Sequence, residues 1–105
     1  MDAPFHIAYA ENVARHPYLC QFAGLGAGMV EQSPQVPLAE QKTRSREVLY
    51  VASGIGRIEI DTYRDGALEV SRPDVTPGTV LKLNRNVRYK LQPSPFQDLD
   101  VRRTI

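Results

Sequence analysis

The feature that most constrains this chain is two-residue alternation in short runs. In Arg57-Ile58-Glu59-Ile60-Asp61 every second side chain is apolar, the spacing of a strand with one buried and one wet face. Leu81-Lys82-Leu83 and Val87-Arg88-Tyr89-Lys90-Leu91 repeat the pattern. Strands are expected over 18–23, 28–32, 47–52, 57–63, 68–72, 80–83, 87–91 and 99–104. Only Tyr9 to Arg15 has tolerable helix propensity, as one turn or a plain arm, and His16-Pro17 ends it. No helix-period segment separates the strands, which argues against a parallel βαβ sheet. Ser53-Gly54 and Asp65-Gly66 read as hairpin turns, and Pro77-Gly78 and Asn84-Arg85-Asn86 as further turns. The expectation is all-β: an antiparallel barrel, since closing the sheet removes exposed edges. A length of 105 residues suits one domain, read as an N-terminal arm over 1–17 and a barrel over 18–105.

Charge and apolar runs narrow the partners. Thirteen Lys and Arg face twelve Asp and Glu, interspersed, for a net charge of +1. A nucleic-acid partner would favour a clustered basic face, so none is expected. No apolar run approaches the roughly 20 residues that cross a bilayer. The opening Met-Asp-Ala-Pro-Phe-His has no signal-peptide pattern. Cys20 is the only cysteine, so no intrachain disulfide forms. The expectation is a cytoplasmic protein with no membrane partner.

Several local features invite chemistry and fail on spacing. Gly24-Leu25-Gly26-Ala27-Gly28 lacks the dinucleotide spacing, and Pro34 and Pro37 forbid the long helix that would hold a phosphate. It reads as a loop between strands. His6, His16 and Cys20 do not complete a four-ligand zinc set. Cys20 shares strand parity with Tyr18 and Phe22 and reads as a packed apolar residue.

The informative region runs from Gln41 to Leu91. Glu47-Val48-Leu49-Tyr50-Val51 opens a strand, and Gly54 follows Glu47 after six intervening residues. Later, Pro77-Gly78 leads into Val80-Leu81-Lys82-Leu83, a tight turn, and Val87-Arg88-Tyr89. Together these segments resemble the first and second motifs of the cupin superfamily. The resemblance implies a small jelly-roll barrel that commonly pairs as a homodimer.

It also implies a divalent metal, held by a His-X-His pair, the motif glutamate and a late histidine. This chain departs at those positions. Gln41 and Thr43 stand at the pair, or Glu40 and Lys42 with the longer spacing; Glu47 keeps the glutamate; Tyr89 replaces the last histidine. Amide and hydroxyl oxygens are weak ligands, and a phenol must lose a proton near pH ~10 to bind well. The expectation is therefore no metal and no cofactor, with a metal on Glu40, Glu47 and waters as the alternative.

What remains is a barrel mouth presenting Gln41, Thr43, Glu47 and Tyr89 as ligand-binding residues. Alternation puts Glu47, Leu49 and Val51 on one face, and Val87, Tyr89 and Leu91 on one face. The cupin alignment turns both faces inward. Glu47 and Tyr89 then form either a hydrogen-bonded structural pair or a catalytic acid/base pair, because desolvation tunes such groups for proton transfer. Arg44 and Arg46 have the opposite parity and point outward, which reads first as solvated charge or an interface pair and second as a means to steer an anionic ligand to the mouth. A one-residue register slip would reverse these assignments.

Three functions follow. The first is a non-catalytic barrel that binds a small molecule. The second is a metal-independent isomerase, epimerase, cyclase or lyase, with Glu47 as base and Tyr89 as acid. The third is a metal-dependent dioxygenase with altered ligands. The first is preferred, since a fold does not settle a function.

Overall fold

The structure, a computed structural model, describes residues 4–9 and 33–104. The strands expected over 18–23 and 28–32, the glycine-rich loop, His16, Cys20 and all but Tyr9 of the expected helical turn lie outside these residues. Among the described residues there is no helix, and the chain forms nine strands. In order they are β1 (Phe5–Ala8), β2 (Gln41–Lys42), β3 (Glu47–Ser53), β4 (Gly56–Arg64), β5 (Ala67–Ser71), β6 (Asp74–Val75), β7 (Val80–Leu83), β8 (Arg88–Pro93) and β9 (Asp100–Thr104).

They build two antiparallel sheets. The first has the order β1-β7-β3-β9, the second β2-β8-β4-β5, with β6 also on β4. No described ladder joins one sheet to the other, so the arrangement is of β-sandwich type rather than a closed barrel. Residues 34–36 run along the free side of β9: the Val36 amide donates to the Val101 carbonyl at 2.8 Å and the Arg103 amide to the Pro34 carbonyl at 3.0 Å.

The connections differ in part from the sequence expectation. Asp65 and Gly66 do turn a hairpin between β4 and β5, both with positive φ (52° and 80°), as a two-residue turn of this hand requires. Ser53-Gly54 does not. β3 pairs with β7 and β9, and β4 with β5, β6 and β8, so this turn carries the chain from one sheet to the other. Gly54 is required there twice over. Its φ is +85°, and a side chain would run into the backbone of Asp98. The expected arm also begins differently. Phe5–Ala8 is a strand on the outer edge of β7, with Phe5 opposite Leu83 and Ile7 opposite Leu81, and both Phe5 and Ile7 pack on the core.

Alternation fixes which side chains are buried. Leu49, Val51, Leu81, Leu83 and Val101 come from the first sheet; Ile58, Ile60, Tyr89 and Leu91 come from the second. They meet in one apolar layer, each aliphatic side chain contributing about 1.5–3 kcal/mol on burial. The outward partners Arg57, Arg88 and Lys90 are exposed. The register is therefore the one that turns Glu47 and Tyr89 inward.

Candidate functional site

Thr43 organises the end of the sandwich where the site forms. Its amide donates to the Val87 carbonyl at 2.9 Å, and its carbonyl accepts from the Asn86 amide at 3.0 Å. Its hydroxyl donates to the Asn84 carbonyl at 2.6 Å and accepts from the Val87 amide at 2.8 Å. These four bonds stitch the 43–46 loop to the 84–87 turn. Thr43 is fully buried, and its hydroxyl is spent on backbone. It frames the site but makes no hydrogen bond to the other expected ligand-binding residues.

Those other residues do come together. Gln41 and Tyr89 are register partners on β2 and β8, so their side chains share the inner face of the second sheet. Glu47 is the first inward residue of β3, in the first sheet. The Tyr89 hydroxyl donates to Glu47 Oε2 across the sandwich at 3.3 Å. Tyr89 is 1% exposed and Glu47 7%, so this is a buried contact.

Arg103 completes the cluster. It lies opposite Leu49 in the β3–β9 ladder and therefore points inward as Leu49 does. Its Nη2 donates to the Tyr89 hydroxyl at 2.8 Å and to Gln41 Oε1 at 3.3 Å, and its Nε lies 3.5 Å from Glu47 Oε2. Nε is buried with no hydrogen-bond partner. The adjacent Arg102 masks this role in the sequence. The signal that would have found it is strand parity: Leu99, Val101 and Arg103 share one face, and the first two are core residues.

Electrostatics define what the cluster can do. Burial, reinforced by the Glu47 carboxylate, pushes the Tyr89 phenol from 10.0 up to about 12, although the Arg103 guanidinium pulls the other way. At neutral pH Tyr89 is a protonated relay, accepting from Arg103 and donating to Glu47. A donor so far above neutrality is a weak general acid, because proton transfer is best served by a pKa near the working pH.

The same geometry tests the metal that the cupin resemblance implies. The oxygens of Gln41, Glu47 and Tyr89 converge on a guanidinium, so a divalent cation would have to displace Arg103 or sit beside its charge. Thr43 offers no free oxygen, and the Tyr89 phenol resists ionisation. Among the described residues no three His, Cys, Asp or Glu side chains gather in metal-binding geometry. Glu40 is exposed and 3.7 Å from Arg88 Nη1, paired outward and away from Glu47. His6 is exposed on β1. The residues present do not fit a divalent metal.

Arg44 and Arg46 are exposed, as their parity predicts. Two grooves open towards the opposite end of the sandwich. One, of about 440 Å³, is lined by Ile55, Arg57, Asp74, Val75, Gln92 and Pro95 among others. The other, of about 500 Å³, is lined by Gln35, Val36, Leu38, Pro93, Asp98 and Leu99 among others. Neither includes a residue of the Glu47 cluster.

No family model, curated protein or solved structure matches this chain. Among the described residues no helix is long and apolar enough to cross a membrane.

Proposed function

We propose that this chain is a cupin-like jelly-roll domain that binds a small polar molecule, without transforming it, at the end where Gln41, Glu47, Tyr89 and Arg103 meet. The strand order supports the jelly-roll part. Among the described strands only β4 and β5 are both sequential and adjacent within a sheet, and the links β2–β3, β3–β4, β7–β8 and β8–β9 each pass between sheets. Such interleaving is what two Greek keys produce.

One observation carries the binding part: polar side chains from four strands and both sheets converge inside the sandwich, where apolar packing would cost less. The guanidinium serves as the built-in cation of the cluster. It neutralises Glu47 and aligns Tyr89 and Gln41, offering a fixed set of donors and acceptors to a guest. The acid/base alternative is disfavoured by the high pKa of Tyr89. The dioxygenase alternative is disfavoured by the oxygen donors themselves, which are already committed to Arg103.

The test is a ligand-observed NMR screen of a small-molecule library on wild type, Glu47→Gln and Tyr89→Phe. The reading expects hits that bind wild type, are recovered unchanged, and weaken about tenfold or more in either variant. Hits that are consumed, or that bind both variants as tightly as wild type, would refute it.

A further inference from the structure

Thr43 does more than frame the cluster. Its four hydrogen bonds hold the 43–46 loop and the 84–87 turn side by side. These loops carry Arg44, Arg46 and Arg85, all exposed, and the adjoining strand ends add exposed Lys42 and Arg88. The residues of the polar cluster nearest the two loops are Gln41, Glu47 and Tyr89. Arg103 adds a further cation to this end, where the described carboxylates include Glu40, Glu47, Asp61, Asp65 and Glu69, in a chain whose net charge is only +1. Five exposed cations, Lys42, Arg44, Arg46, Arg85 and Arg88, thus share two neighbouring loops and their strand ends.

That positive charge is largely unspent. Arg88 reaches Glu40 at 3.7 Å, but among the described residues Lys42, Arg44, Arg46 and Arg85 have no carboxylate partner. Beneath them, Arg103 engages Gln41 and Tyr89 through Nη2 alone, and its buried Nε has no hydrogen-bond partner. Guanidinium forks suit oxyanions, which accept bidentate, charge-assisted hydrogen bonds. The loop backbones are also pre-ordered by Thr43, so the entropy lost on binding is confined to the arginine side chains.

We infer that the guest of this site is a small molecule bearing a multiply charged oxyanion, a phosphate ester or a polycarboxylate, gripped by Arg44, Arg46 and Arg85 with Arg103 below. The inference rests on reading the cluster as a binding site and adds the charge of its guest. Exposed arginines at a loop usually do no more than keep a surface hydrated. Here two separate loops are locked together with the cations of Arg44, Arg46 and Arg85 unpaired, beside the partly exposed guanidinium of Arg103.

The experiment titrates full-length protein with inorganic pyrophosphate and, separately, with citrate. Sodium chloride at matched ionic strength is the control, because screening alone alters surface electrostatics. Binding is read by calorimetry and by amide chemical shifts. The expected result is saturable binding of at least one of the two, with shifts centred on residues 42–47 and 84–89. Affinity should fall about tenfold or more in Arg44→Gln/Arg85→Gln, with the melting temperature unchanged. Pyrophosphate alone would assign phosphate chemistry, and citrate alone carboxylate chemistry. If neither anion binds but neutral molecules from the screen still shift Tyr89, the inference fails and the binding site stands. If nothing binds, both fail. Binding of a single-stranded oligonucleotide without either small anion would also overturn the inference.

Discussion

Replacing Tyr89 by phenylalanine removes one oxygen and nothing else from the centre of the site. That oxygen donates to Glu47 at 3.3 Å and accepts from Arg103 at 2.8 Å. Hydrogen bonds to charged groups are worth about 1.5–3 kcal/mol each. The first is at the long end of bonding range, which lowers its share. The Arg103 side chain is 24% exposed and can recruit water in exchange, which lowers the second. The ring remains and leaves no cavity beyond the hydroxyl. Tyr89→Phe should therefore cost about 2 kcal/mol in urea unfolding, with an unchanged denaturant slope. In a domain of this size that is a fall of roughly 4–8 °C in Tm for each kcal/mol. Tyr63→Phe is the control: Tyr63 is 77% exposed, so its substitution should stay within about 0.5 kcal/mol of wild type. If Tyr89→Phe is equally silent, the hydroxyl does not bridge the sheets and the site loses its centre.

Three further outcomes follow from the same geometry. The Tyr89 phenol titrates at about 12 in the folded state against 10.0 for the free side chain, so the folded protein holds its proton longer. Its contribution is complete below pH 10 and is lost as pH rises towards 12; the stability gap between wild type and Tyr89→Phe should shrink across that window, and a constant gap would refute the shift. Arg103→Gln leaves the buried Glu47 carboxylate without its cation and should cost about 2–4 kcal/mol, discounted for the partial exposure of Arg103. Adding Glu47→Gln should recover part of that loss in urea unfolding, and a double variant less stable than Arg103→Gln would contradict the pairing. Thr43→Val strips the partner from the Val87 amide and one from the Asn84 carbonyl, and should cost about 2 kcal/mol. Hydrogen exchange at Val87 should accelerate with it, and unchanged exchange would mean that the loops are not stitched through the hydroxyl.

Much of this site was legible because alternation is a local signal. Glu47 shares parity with Leu49 and Val51, and Tyr89 with Val87 and Leu91, so the core dragged both polar groups inward. Arg44 and Arg46 faced out for the same reason. What alternation does not supply is a partner. Ser53-Gly54 looks like a hairpin turn, yet β3 is claimed by β7 and β9, whose sequences lie some distance downstream. β2 and β6 have two residues each and exist only because β8 and β4 offer them an edge. Phe5–Ala8 is too short to read as a strand until β7 is there to receive it. Arg103 was within reach of parity but was masked by its neighbour Arg102, which faces the other way and pairs with Asp100 at 3.0 Å. Thr43, expected at the mouth as a ligand-binding residue, is fully buried. Its role as a stitch depends on Asn84 and Val87, more than forty residues away.

The most direct test of the account is to locate a bound small molecule by amide chemical-shift mapping, using a hit from the screen on the full chain. The account predicts that Gln41, Val48, Tyr89 and Arg103 move together and saturate with one affinity, while residues 92–95 stay still. Shifts confined instead to Ile55, Val75 and residues 92–95 would place the guest in the groove at the other end of the sandwich. The Glu47 cluster would then be a structural clasp between the sheets and not a binding site.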